Sequence, residues 1–188
     1  MQSKLLLVLL AGAVPVLAQA QAQAQVQTQT RPHAPARPGP ARPAAQAPKS
    51  IGKFDDWQAA THQEAGQLVC YAFTRATASA PVVPGRGDVV LTVTQRTGGR
   101  DAVAISAGFA YPASAEVQVG VDASQLPFYT ANRSAFARDG KAVVATFTKG
   151  RQAIAVSPGP RNAQVSDTFS LRGFSPAYAA INKACPLK

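Results

Sequence analysis

From Phe54 to Leu171 the large apolar residues of this chain fall at every second position, in short runs broken by glycine, proline, asparagine and aspartate. A period of two is the repeat of a β-strand with one buried face, so the pattern restricts this segment to antiparallel sheet architectures. Phe54 to Thr61 reads as a strand with Trp57 and Ala59 on one side. Glu64-Ala65-Gly66 offers a turn, and Leu68 to Thr74 follows, with Val69, Tyr71 and Phe73 opposite Leu68, Cys70 and Ala72. A long loop, Ala76 to Arg86, holds Pro81, Pro84 and Gly85. The clearest hairpin comes next: Val89, Leu91 and Val93 alternate with Thr92 and Thr94, Thr97-Gly98-Gly99-Arg100 turns, and Val103, Ile105 and Ala107 return.

A second hairpin runs from Glu116-Val117-Gln118-Val119 through Val121-Asp122 to Leu126-Pro127-Phe128-Tyr129. Pro127 has no N–H for a ladder, which predicts an edge strand or a bulge there. Ala153 to Ser157 and Val165 to Leu171 supply two more strands, the latter with Val165, Phe169 and Leu171 on one face. Two helical pieces interrupt the alternation. Asp139 to Lys149 stops at Gly150 and aligns Val143, Val144 and Phe147, although its β-branched residues suit a strand nearly as well. The last piece has Ser175 as expected N-cap, Pro176 in the first turn, and Tyr178, Ile181 and Cys185 at helical spacing. The expected fold is mainly β: a single antiparallel β-sandwich or barrel-like domain with a short internal helix and a C-terminal helix.

That domain spans residues 51–188, and the chain before it is different material. Residues 1–20 carry Lys4, an apolar run from Leu5 to Leu17 and a closing Ala18-Gln19-Ala20. The run is too short to span a bilayer, and the ending suits signal peptidase, so residues 1–20 read as a signal peptide. Residues 21–50 consist mainly of Gln, Ala, Pro, Thr and Arg, with Val26 the one large aliphatic before Ser50. Such a stretch buries too little apolar surface to offset its ordering entropy and reads as a disordered tether, reaching about 30–60 Å. The expected location is the periplasm, or the outer surface after secretion.

All nine acidic residues lie in the domain with 14 of the 19 Lys and Arg, a net of +5, and the tether adds four more cations. Outside the cytoplasm such a chain is drawn to anionic lipid, lipopolysaccharide or other polyanions, touching a membrane peripherally. The basic residues do not interleave with aromatics, which argues against nucleic acid. Cys70 and Cys185 are the two cysteines. In an oxidising compartment they pair, and closing so long a loop contributes about 4–5 kcal/mol at most. The alternative is two buried free thiols.

Catalytic signatures are lacking. His62 is the domain's one histidine, without a Gly-x-Ser-x-Gly elbow, and reads as a solvent-facing strand residue. One His and two distant Cys do not make a zinc site, Asp55 and Asp56 on a strand would face opposite ways, and no phosphate-binding glycine loop occurs. No cofactor or metal is expected. Arg86-Gly87-Asp88 spells the integrin-recognition tripeptide in a loop before a strand. Its plainer reading is that Gly87 permits the turn and Asp88 caps the start of the strand. Asn132-Arg133-Ser134 has meaning as a glycosylation acceptor only in a eukaryotic secretory pathway.

Several blocks together resemble the invasion-associated locus B family of bacterial exported proteins. They are Phe54-x-x-Trp57, Cys70-Tyr71-Ala72, Asp88 followed by Val93-Thr94-Gln95-Arg96, Ser170-Leu171-Arg172-Gly173-Phe174-Ser175, and Ala180-Ile181 with Cys185. The likeness runs from about Ile51 to Cys185. It implies a β-sandwich-like domain in the periplasm or at the outer surface, with no catalytic residues to carry over. Some relatives hold additional cysteines that this chain lacks.

Three functions follow as expectations. The first is a non-enzymatic envelope or periplasmic binding module whose partner is another envelope protein or an anionic surface polymer. The second is a surface adhesin or host-cell invasion factor using the Arg86, Gly87 and Asp88 loop. The third is a hydrolase of unrecognised type, for which loss of a measured activity on substituting His62 would be the sign.

Overall fold

The computed structural model of the chain describes residues 47–187, apart from the side chain of Asn162. The expected signal over 1–20 and most of the expected tether over 21–50 lie outside the described residues.

Strands occupy Lys49–Phe54 (β1), Trp57–Glu64 (β2), Gln67–Arg75 (β3), Ala78–Ala80 (β4), Val90–Arg96 (β5), Gly99–Ser106 (β6), Glu116–Val121 (β7), Ser124–Ala131 (β8), Ser134–Ala137 (β9), Gln152–Pro158 (β10) and Gln164–Ser170 (β11). Helix α1 (Gly140–Phe147) precedes β10, and helix α2 (Phe174–Ala184) follows β11. The strands form a single sheet in the order β1-β2-β3-β5-β6-β9-β8-β7-β10-β11-β4, antiparallel at every pairing.

β4 continues β3 after only two residues yet pairs with β11, at the far end of the order. Ala76 N–H donates to the Val89 carbonyl and Thr77 N–H to the Thr168 carbonyl, so this ribbon is bonded toward both ends of the sheet. Trp57 of β2 donates its Nε1–H to the Ser170 carbonyl of β11 at 2.9 Å. The sheet therefore curls around one core as a single layer, the barrel-like form of the expected antiparallel fold.

Both helices bury an apolar face in that core. Phe174 of α2 sits edge-on to Trp57 at 4.9 Å and to Phe147 of α1 at 5.5 Å, joining both helices to β2. Trp57, Phe147, Phe174 and Ile181 are all essentially fully enclosed, each worth about 1.5–3 kcal/mol relative to exposure. The alternation of Leu91 and Val93 with Thr92 and Thr94, and of Val103 and Ile105 with Ala102 and Ala104, sends the first set inward.

Four local expectations need correction. Three short strands, β1, β4 and β9, went without a sequence signal, because Lys49–Phe54, Ala78–Ala80 and Ser134–Ala137 are too short, small or polar to alternate visibly. Asp55 and Asp56 lie in the β1–β2 turn rather than on a strand. There Asp56 accepts from the Ser170 hydroxyl at 2.7 Å and from Arg172, contacts that hold its carboxyl below the ordinary range. Pro127 is on an interior strand, between β9 and β7. Its carbonyl accepts from Arg138 N–H, just past the end of short β9, so the missing N–H points to where that neighbour has already stopped.

The fourth concerns α2, whose N-cap is Gly173 rather than Ser175. Gly173 takes φ +87°, and a β-carbon there would fall onto the Phe54 carbonyl oxygen. Close approach of β1 starts the helix early enough to bury Phe174.

Candidate functional site

The two cysteines meet. Cys70 of β3 and Cys185 at the end of α2 form a disulfide with Cα atoms 6.0 Å apart, inside the usual range. Beside it Arg100 donates to the Cys185 carbonyl at 2.6 Å and to Asn182 Oδ1, satisfying the helix C-terminus with a cation. A cleft of about 390 Å³ opens here, between Gly66 to Leu68, Arg96 to Arg100 and Ala184 to Pro186.

The tripeptide is divided by the fold. Arg86 turns inward: Nη1 and Nη2 donate to Asp167 Oδ1 and Oδ2, each at 2.7 Å, and Nε donates to the Ala107 carbonyl at 2.6 Å. The two side chains are 7% and 3% exposed, and the guanidinium lies 4.8 Å from the centroid of Phe109. Ser79 of β4 completes the carboxylate's partners through a 2.7 Å hydrogen bond. Gly87 donates its N–H to Gly108 O, and Asp88 faces solvent beside Arg75 at 3.2 Å. An arginine held by both its terminal nitrogens cannot reach a receptor, so this geometry works against the adhesin use of the tripeptide.

Arg86 instead organises a buried polar knot under the small cluster of Ala107, Phe109 and Val165. Asp167 occupies an inward position of β11 that the alternation of Val165, Phe169 and Leu171 would give to an apolar residue. Tyr111 borders the knot, its phenol pushed up to about 12 by burial and by the nearby Asp167 charge. No buried side-chain nitrogen or oxygen is left unpaired among the described residues, so the knot is closed upon itself. It is a structural staple.

His62 stands on the outer face of β2, edge-on to Tyr71 at 5.4 Å. It joins no hydrogen bond to a hydroxyl nucleophile or a carboxylate among the described residues.

That outer face carries the most distinctive surface of the domain, and strand register builds it. Phe73 of β3 lies opposite Thr92 of β5, Thr92 opposite Ala104 of β6, Ala104 opposite Phe136 of β9, and Phe136 opposite Tyr129 of β8. In the next row Tyr71 lies opposite Thr94, and Thr94 opposite Ala102. Directly opposed residues share a face. The result is a trough with a floor of Thr92, Thr94, Ala102 and Ala104 and an aromatic pair on each side. Tyr71 stacks on Phe73 at 5.8 Å, and Tyr129 on Phe136 at 5.5 Å. The two pairs stand three strand spacings apart, about 14 Å.

Two arginines lie toward the Thr94–Ala102 end of the trough, one beyond Thr94 on β5 and one beyond Phe136 at the end of β9. Arg96 is paired with Glu64, and Arg138 lies 5.8 Å from the Tyr129 centroid while paired with Glu116. A hollow of about 510 Å³ opens over the Tyr71 side, bounded by His62, Thr94, Arg96 and the Ala47-Pro48 segment. Reading each strand alone identified its inward residues but not this surface, because the aromatics come from strands far apart in sequence.

Comparison with known proteins bears on the fold and its origin. A family model described as invasion associated locus B (IalB) protein matches residues 57–182. The chain belongs to the invasion-associated locus B family. It is similar to the crystal structure of invasion associated protein B from Bartonella henselae, with 19% identity and a TM-score of 0.52, covering 71% of this chain and 95% of that one. No curated protein matches the chain.

The blocks through which the sequence resembles this family coincide with contacts that hold the fold together. Trp57 is bonded to Ser170, Gly173 packs against Phe54, and Cys70 is joined to Cys185. Gln95, at a register shift in β5, is fully buried and grips Asp101 by side chain and backbone, while Tyr178 of α2 donates to the same Asp101 at 2.7 Å. Family likeness here reports architecture.

Proposed function

We propose that this chain is an exported, non-enzymatic binding module of the bacterial envelope, whose partner is an anionic surface polymer or another envelope protein. The observation carrying this reading is how the charges are spent. Asp56, Glu64, Asp88, Glu116 and Asp167 are each paired with an arginine. Asp101 is held by Gln95 and Tyr178, and Asp139 caps α1. Lys53, Lys141, Lys149, Arg151, Arg161 and Lys183 enter none of these ion pairs among the described residues, and all face solvent. The surface therefore keeps an excess of cations that the fold does not use. Such a field favours a polyanion and weakens as salt rises.

The disulfide supports an oxidising compartment. Family membership supports an envelope setting, and the name of the Bartonella henselae protein associates that protein, rather than this chain, with invasion. The test is retention of the purified mature chain on isolated envelope fractions across a salt series. Retention that declines steadily with ionic strength is expected. Equal retention at low and high salt, or none at all, removes the electrostatic basis of the reading.

A further inference from the structure

We propose that the outer-face trough is a binding site for an acidic polysaccharide, whose sugar rings lie between the Tyr71–Phe73 and Tyr129–Phe136 pairs. The proposal rests on the binding-module reading above and assigns it a surface and a ligand class.

Shape comes first. The floor residues Thr92, Thr94, Ala102 and Ala104 are short, whereas the flanking aromatics rise well above the sheet, so the register leaves a channel rather than a flat face. Among the described residues Ala102 is exposed and the other three floor residues are half-buried. Tyr129 is 45% exposed, among the few large hydrophobic side chains left so open.

Chemistry then narrows the occupant. A lipid chain would gain little from a floor with two threonine hydroxyls and two arginines toward one end. A sugar ring has an apolar C–H face that packs on an aromatic ring and an equatorial rim of hydroxyls that pairs with polar groups. Rigid aromatic walls with a few hydroxyls between them match both. The arginines supply the sign of charge. Arg96 and Arg138 are surface ion-paired with Glu64 and Glu116, contacts weak enough to be exchanged for a carboxylate of the ligand. Uronic acids, or sugars bearing other acidic groups, fit this combination, and the positive net charge of the domain favours them over a neutral glycan.

The test uses the full mature chain with polygalacturonate as the acidic glycan, its methyl-esterified form as the neutral one, and polyphosphate as a polyanion without sugar rings. Tyr129→Ala removes an exposed ring, and Ala102→Glu places a carboxylate on the floor at an exposed position. Neither residue lies in the core, and circular dichroism with thermal melting verifies that both variants fold. Lys149→Gln, on the surface near α1, lowers the net charge by the same amount as Ala102→Glu and serves as a charge-matched control. Binding is read by calorimetry or affinity electrophoresis.

The expected result is that polygalacturonate binds more tightly than its ester or polyphosphate. Each trough variant should weaken it by about tenfold or more, while the Lys149 variant stays within about threefold of the parent. If polyphosphate binds as well and all three variants weaken together, diffuse charge explains the retention; the site is refuted while the binding-module reading stands. If envelope fractions retain the chain but polygalacturonate does not bind, the glycan assignment is wrong. If the trough variants change only the chain's own sedimentation, the face is a self-contact and the proposal is again refuted.

Discussion

Replacing Arg86 with methionine should unfold this domain far more readily than its loop position suggests. Methionine keeps most of the stem packed near Phe109 but removes the charge and three donated hydrogen bonds, two to Asp167 and one to the Ala107 carbonyl. Asp167 is then left with Ser79 as its remaining side-chain donor, inside a site where its side chain is 3% exposed. Breaking a buried pair in this way costs about 3–5 kcal/mol, chiefly because the surviving charge stays buried and uncompensated. With a urea slope of about 1–3 kcal/mol/M, the denaturation midpoint should fall by roughly 2 M at unchanged slope.

The double variant Arg86→Met with Asp167→Leu removes both charges and should recover most of the loss, because a buried pair replaced by apolar groups of similar volume is often neutral. Asp88→Glu, on the exposed side of the tripeptide, should change stability by less than about 0.5 kcal/mol. Urea titration followed by circular dichroism measures all three. A loss below about 1 kcal/mol for Arg86→Met, or a double variant no better than the single, would show that water reaches the pair and that the knot is not a staple. The result also governs any adhesion assay on this loop, since an Arg86 variant would lose activity through unfolding whatever the tripeptide does.

Two further outcomes follow from the same structure. Replacing Cys70 and Cys185 together by alanine should destabilise the domain by up to about 4–5 kcal/mol, and reductant should lower the melting temperature of the parent but not of that variant; two freely alkylated thiols in the native protein would contradict the pairing. Tyr111 has a folded-state value of about 12 against an ordinary 10, so its contribution is fully present below pH 10 and is lost as pH rises toward 12. Because the ring is only partly buried, the effect should stay below about 2–3 kcal/mol. Tyr111→Phe should flatten the parent's stability decline between pH 10 and 12, and parallel declines would remove the phenol as its cause.

The sequence by itself determined the elements that depend on local chemistry. Period-two alternation located the two central hairpins and the faces of Leu91, Val93, Val103 and Ile105, because strand geometry sends every second side chain to one side. The Val143, Val144 and Phe147 spacing and the Gly150 stop pointed to α1, with a strand left open by propensity, and helical spacing through Ile181 gave α2. The cysteine pairing was legible because two thiols in an oxidising compartment have few alternatives.

Only tertiary structure decided the rest. β1, β4 and β9 are short and weakly patterned, and they exist because a neighbouring strand supplies their hydrogen bonds. Arg86 lies in a loop between Gly85 and Gly87, and Asp167, 81 positions away, draws it inward through a bidentate bond. Gly173 rather than Ser175 opens α2 because the Phe54 carbonyl leaves no room for a side chain. The trough belongs to the same class: Tyr71 and Tyr129 become opposite walls through pairing registers across five strands. Long-range contacts and cross-strand register are properties of the folded sheet, and no window of the chain contains them.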